Sequence, residues 1–228
     1  MNATGWEISK GNRALFAFEL CFIPDPEQGR GAQAEEALSW GELRIWVQGK
    51  NLCEHFDSST VLDSVHWYLL PVVEWWVHNW NPLFHEEKYP VSGVEAEDDA
   101  WSTYHSTCLS QPGYDDLEQV REQEEEWYAW WQRHALWSCR EGGLLPDMFI
   151  RRVRDQIEVS WGEAEGHSVP DLFRFRAAPA EVCLEPEEVA VPLYEALKDA
   201  VSYLQAQMPD SARLNTLSQA LKRIPGAD

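Results

Sequence analysis

Glu74 and His78 stand four residues apart in a run with helical spacing, and His85-Glu86 follows shortly after. Imidazole and carboxylate groups converging at such intervals can hold a divalent ion or share a proton, so these are the best-spaced candidates for metal or hydrolytic chemistry. The same spacing is what an exposed ion-pairing helix face shows. No complete ligand set accompanies it, and the expectation is no metal and no cofactor. Cys53 with His55, and Cys108 with His105, each supply half of a thiol–imidazole pair. Neither comes with a third, orienting group, and both read as loop or core residues. Asp147, Asp155 and Glu158 could gather at strand ends around a cation. Arg151, Arg152 and Arg154 lie among them, however, and would neutralise the cluster into a surface salt-bridge lattice. The chain has no GxxxxGK[ST], no GxGxxG after a strand and no GxSxG, and Gly29-Arg30-Gly31 reads as a turn.

The other unusual residues are the 13 tryptophans, which offer large, rigid contact area at little entropic cost. Trp76 with Trp80, and Trp127 with Trp131, recur as a core-facing helical stripe would. Trp75, Trp130 and Trp137 fall off those stripes and need another layer of protein or a partner to cover them. They are the candidate partner-binding residues, together with the carboxylates of Glu122, Glu124, Glu125 and Glu126. Stacking of nucleic-acid bases on exposed Trp normally comes with a basic groove, whereas the neighbouring charge here is acidic.

The elements that must position these residues follow from periodicity. Phe16, Phe18, Leu20 and Phe22 alternate as a strand, as do Leu43, Ile45 and Val47, and the two should pair antiparallel. From Ser59 or Thr60, apolar residues at helical spacing predict a helix through Trp80, kinked near Pro71 and ended or interrupted at Asn81-Pro82. Pro90 to Pro112, with Glu95, Glu97, Asp98 and Asp99, reads as a long loop. A second Trp helix is expected from about Asp115 past Trp137, packed against the first and stopped by Gly142-Gly143. Met148–Val153 and Gln156–Trp161 form a hairpin around Arg154-Asp155, and Leu172–Arg176 and Val182–Leu184 add short strands. Val189, Leu193, Leu197, Val201 and Leu204 mark a helix entered through Pro186, and Leu214, Leu217 and Leu221 a final one. The expectation is an α+β fold with a mostly antiparallel sheet, two Trp-rich helices and two C-terminal helices, in one domain with a weak boundary in 90–112.

The chain has 228 residues, 39 acidic against 18 basic, for a net charge of -21, with 44% hydrophobic residues. That is enough to bury a core without disulfides or metal. Nucleic-acid affinity rests on Lys and Arg displacing counterions, so direct nucleic-acid binding is not expected. The acidity fits solubility, a basic partner, or imitation of nucleic-acid charge. Five scattered cysteines without a CxxC pair suit a reducing compartment. No secretory signal and no membrane-spanning run are apparent. Together these read as a bacterial-type cytoplasmic protein.

Two runs, Asn79-Trp80-Asn81-Pro82-Leu83-Phe84-His85-Glu86-Glu87 and Arg133-His134-Ala135-Leu136-Trp137 through Gly143-Leu144-Leu145-Pro146-Asp147 to Glu158-Val159-Ser160-Trp161, carry a likeness. Over about residues 40 to 165 the chain resembles an uncharacterised bacterial domain associated with ImmA/IrrE-type peptidase chains in regulatory or phage-defence settings. Peptidase activity does not follow, because His85-Glu86-Glu87-Lys88-Tyr89 has Tyr89 where an HExxH helix needs its second His. The expectation is a non-enzymatic accessory or regulatory protein-binding subunit of a defence, toxin-neutralising or stress system. The alternatives are an acidic nucleic-acid-mimic inhibitor, and a hydrolase with a dispersed site led by Glu74, His78 and His85.

Overall fold

The computed structural model describes residues 5–26, 34–86, 99–109, 117–140, 143–162 and 173–224, by backbone alone at 34, 107–109 and 117–124. The chain opens with β1 (Trp6–Gly11) and β2 (Phe16–Phe22), passes a short α1 (Ala34–Ala37) and continues as β3 (Trp40–Val47). Four short strands follow: β4 (Lys50–Asn51), β5 (His55–Asp57), β6 (Thr60–Leu62) and β7 (Val65–Tyr68). Then come α2 (Leu69–His78), α3 (Trp80–His85), α4 (Ala100–Leu109) and α5 (Leu117–His134), with a 3₁₀ turn at Leu136–Cys139. The remainder is β8 (Asp147–Val153), β9 (Gln156–Gly162), β10 (Phe173–Phe175), β11 (Ala180–Leu184), α6 (Pro186–Gln207) and α7 (Ala212–Leu221). The fold is α+β, and every strand pairing is antiparallel.

Alternation decides which face of the first sheet is apolar. β2 and β3 pair with Phe16 opposite Val47, Phe18 opposite Ile45 and Leu20 opposite Leu43, all buried. The helix α6 covers that face against β1 and β2. Its Val189, Leu193, Leu197, Val201 and Leu204 form the expected buried stripe, as do Leu214, Leu217 and Leu221 of α7. The opposite face of β3 shows Trp40, Glu42, Arg44 and Trp46, all half-buried. β3 carries β4 and β7 on its far side. Separate sheets β10–β5–β6 and β11–β9–β8 complete the β structure.

Three expected elements differ. The helix expected from Ser59 or Thr60 begins only at Leu69, because Thr60–Tyr68 is taken up by β6 and β7. Pro71 therefore sits in the first turn of α2, where a missing N–H costs nothing, and it causes no kink. Ser39, next to β3, caps that turn: its carbonyl accepts from the Leu69 N–H at 2.8 Å and its hydroxyl from Leu70 at 3.1 Å. Asn79 separates α2 from α3, and Pro82 again falls in a first turn. Second, α4 occupies part of the expected 90–112 loop; its first N–H groups are taken by Glu158 and Ser160 of β9. Third, the second Trp helix stops at His134. Ala135 then bridges to Phe149, and Trp137 lies in the 3₁₀ turn.

Candidate functional site

The tryptophans expected to form a partner surface are inside the fold. Trp75, Trp130 and Trp137 are 7%, 1% and 6% exposed, which corrects their assignment to a docking face. The physical reason is that Trp130 and His134, in the last turns of α5, pack inward while Glu125, Glu126 and Tyr128 just before them stay exposed. Trp130 and His134 stack at 4.5 Å, and Trp130 stacks on Phe149 of β8 at 5.8 Å. Trp127 and Trp131 are half-buried at the flank instead. The Trp75 indole donates to the Gln132 carbonyl at 2.7 Å, so the two Trp helices do meet, at that turn. Arg140 lies over Trp137 at 4.1 Å. Glu125 and Glu126 are exposed beside Tyr128, while the side chains of Glu122 and Glu124 lie outside the described residues.

The candidates for reaction chemistry are mostly tied up as structure. Glu74 accepts a bidentate pair from Arg213, at 2.5 Å to each oxygen; Glu74 and the exposed His78 line one cavity with Arg213, and His85 is not part of it. Asp147, Asp155 and Glu158 are spread along the β8–β9 hairpin. Asp147 accepts from the Trp101 indole at 2.7 Å and lies 2.9 Å from His105 Nε2. Glu158 binds Arg151 directly across the strand pair. That pair is buried, which corrects the expected surface lattice, and Asp155 is exposed in the turn. Cys53 is fully buried, and burial pushes its thiol up to about 12. His55 faces the Cys53 carbonyl rather than its sulfur. Cys108 lies outside the described side chains. Among the described residues no group of three or more His, Cys, Asp or Glu is placed to hold a metal ion.

Two described cavities join aromatic and titratable groups: one of about 390 Å³ with Trp6, Phe22, Tyr203 and Asp25 in its wall, and one that adds two imidazoles to a carboxylate and two indoles. At the outer edge of the first sheet, β7 and Trp40 of β3 face β5 and β6 across a cavity of about 340 Å³, closed by Gly143 and Leu144. That is within the range of small ligand sites. Its aromatic walls are Trp40 and Trp67, with ring centroids 6.2 Å apart at 55°. A Cβ on Gly143 would lie 2.4 Å from Trp67 Cδ2, so only glycine lets this backbone lie flat on the indole. The Trp67 N–H is buried and meets no acceptor.

The polar wall comes from His55, Asp57 and His66. His55 and Asp57 are two apart on β5 and so share a face. His55 Nδ1 is 3.0 Å from the Cys53 carbonyl. A carbonyl only accepts, so Nδ1 carries a proton, and in the neutral ring Nε2 is left as the acceptor. Phe173 and Phe175 hold the imidazole at 4.9 and 5.9 Å. His66 stands 3.3 Å from Glu42. Arg44, nearby, is shared between Glu42 and Asp63, and its guanidinium holds the Asp63 carboxyl below the usual range. The cleft is thus lined by π faces, a carboxylate, two imidazoles and the apolar Leu62, Val65 and Leu144, and among the described residues no Lys or Arg stands in its wall.

Sequence reasoning took His55 only as half of a nucleophile pair and Gly143 only as a helix stop. The signal it passed over is the alternation His55-Phe56-Asp57, which puts two polar groups on one face of a short strand. The chain matches no protein-family model, no curated protein and no solved structure.

Proposed function

We propose that this chain is a non-enzymatic accessory or regulatory subunit that binds a basic protein through an acidic, aromatic surface. The observation that carries the reading is the cleft between β5 and β7, where Trp40 and Trp67 meet Asp57 and His55 in a chain of net charge -21. Aromatic groups beside acceptors are what protein-recognition sites use to anchor a partner side chain. The chain's acidity favours encounter with positive partners. The resemblance over about residues 40 to 165 supports a bacterial regulatory or defence setting, and the scattered cysteines support the cytoplasm. Among the described residues no helix is long and apolar enough to cross a membrane.

The test is site-directed photo-crosslinking in the cells that encode the protein. Leu144 is 43% exposed at the cleft mouth, so a photoreactive residue there should capture a defined protein. Substitution of Asp57 by Asn should reduce capture. A crosslinker at Leu144 that captures no protein, or captures the same set at the same yield with Asp57→Asn, overturns the reading.

A further inference from the structure

We propose that the cleft between β5 and β7 receives the guanidinium of an arginine side chain presented by the partner; this rests on the protein-binding reading above and names the chemistry it recognises. Three observations converge on a planar cation. The first is the polarity of the walls. In the neutral ring His55 offers an acceptor at Nε2, because its Nδ1 proton is committed to the Cys53 carbonyl, and Asp57 offers a carboxylate on the same face of β5. A guanidinium has five donors and no acceptor, so it complements such a wall where an anion would not.

The second is the aromatic pair. Trp40 and Trp67 are half-buried walls of the cavity. Three other tryptophans of the fold carry a cation: Arg13 lies over Trp46 at 4.5 Å, Arg140 over Trp137 at 4.1 Å and Lys50 over Trp161 at 5.3 Å. On β5 itself, Phe56 points away from the cleft and carries both Arg174 and Arg176, at 5.6 and 5.2 Å. Among the described residues neither Trp40 nor Trp67 has such a cation, although Trp is the strongest π partner a cation can find. Arg outranks Lys here because its flat group can stack on an indole while donating sideways to Asp57.

The third is local charge. Around the cleft Glu42, Asp57 and Asp63 stand against Arg44, whose guanidinium is already shared by Glu42 and Asp63; Arg174 and Arg176 lie over Phe56 on the far face of β5, with Arg176 paired to Glu54. An incoming cation therefore meets net negative charge at the mouth, while an incoming phosphate or carboxylate would be repelled.

The experiment uses the full chain, with selectively labelled Trp indole and His ring resonances, titrated with N-acetyl-arginine amide. A single guanidinium should bind with Kd on the order of a millimolar. The expected result is shifts confined to Trp40, Trp67, His55 and His66. Asp57→Asn should weaken binding about tenfold by removing a charge-assisted hydrogen bond, and Trp40→Leu should abolish it while the Trp signals outside the cleft hold their positions. N-acetyl-citrulline amide keeps the shape without the charge. If it shifts the same resonances equally, or if the arginine amide shifts none, the proposal is overturned. The photo-crosslink at Leu144 separates the two levels. A partner captured through residues other than arginine overturns the arginine inference and keeps the protein-binding reading. Arginine amide that binds while no protein is captured overturns the partner, and makes a free guanidino compound the ligand.

Discussion

The Trp75 indole N–H of α2 donates to the carbonyl of Gln132 in the last turn of α5, at 2.7 Å. That turn is where α5 ends and its carbonyls lack intrahelical partners, so a tryptophan from a distant segment completes a helix terminus. Trp75 is thereby committed to the interior, and the stacked Trp130–His134 pair in the same turn is committed with it.

It follows that Trp75→Ala, Trp130→Ala and Trp137→Ala should each lower folding stability by roughly 3 to 5 kcal/mol, the cost of emptying a packed aromatic site. Urea titration of the three variants measures this. A change below about 1 kcal/mol at Trp130, the most deeply buried of the three, would contradict its place between His134 and Phe149.

Much of the fold was legible because simple periods survive into it. The faces of β2 and β3, the β8–β9 hairpin and the stripes of α6 and α7 all follow from period two or 3.6. The failures have physical causes. Val61, Val65 and Tyr68 fit a helical period by accident, while the chain between them turns at Asp63-Ser64 into a second strand. The helix α4, with Ser102, Thr103 and Ser106 among its residues, has little amphipathic pattern; carboxylate and hydroxyl groups of β9 hold its start. Trp130 falls off the Trp127–Trp131 stripe, yet it is the residue that packs inward, with His134 one turn on, onto Phe149. The cleft was illegible because His55, His66 and Gly143 come from three segments that only the tertiary fold brings together.

Cys53 offers a chemical check on that burial. Removal from water pushes its thiol up to about 12, and thiolate is the reactive form. In native protein at pH 8, iodoacetamide should leave Cys53 unmodified while labelling Cys183, which is exposed, though more slowly than a free thiol because partial burial, Glu158 and Glu181 push that thiol up as well. Denaturant should make the two equivalent. Peptide mapping by mass spectrometry reads both sites separately, and prompt native labelling of Cys53 would contradict the packing beneath β3 and β4.

Glu158 does two tasks with its two oxygens. Oε2 accepts from Arg151 at 2.9 and 2.6 Å, and Oε1 accepts the Ala100 N–H at 2.6 Å. Both side chains are buried, so removing one partner strands the other in low dielectric. Glu158→Gln should destabilise by about 3 kcal/mol or more, with faster hydrogen exchange in α4 ahead of global unfolding. Replacing Glu158 and Arg151 together by Leu should recover part of the loss. If the single variant is the milder of the two, the pair is not what holds α4 to β9.

Glu86 sets the acid limit of the region where α3 meets α5. Its carboxylate lies 3.4 Å from His134 Nε2 and takes two hydrogen bonds from Arg133, at 3.2 and 2.9 Å. His134 Nε2 can give that hydrogen bond only as an imidazolium, because Nδ1 donates to the Ile150 carbonyl at 2.7 Å. The bond from His134, and after it those from Arg133, bring Glu86 from its ordinary 4.5 down to about 2. A carboxyl depressed on folding contributes stability above its unfolded value, and the contribution is lost as pH falls toward the folded one. The window is therefore pH about 4.5 down to about 2. With the side chain 30% exposed, solvent screening leaves on the order of 1 to 2 kcal/mol. Glu86→Gln should cost that much at neutral pH, and its urea midpoint should then fall less steeply than wild type as pH drops through the window. Parallel curves for the two proteins between pH 5 and 2 would mean that Glu86 titrates alike folded and unfolded, and that neither His134 nor Arg133 holds its charge in place.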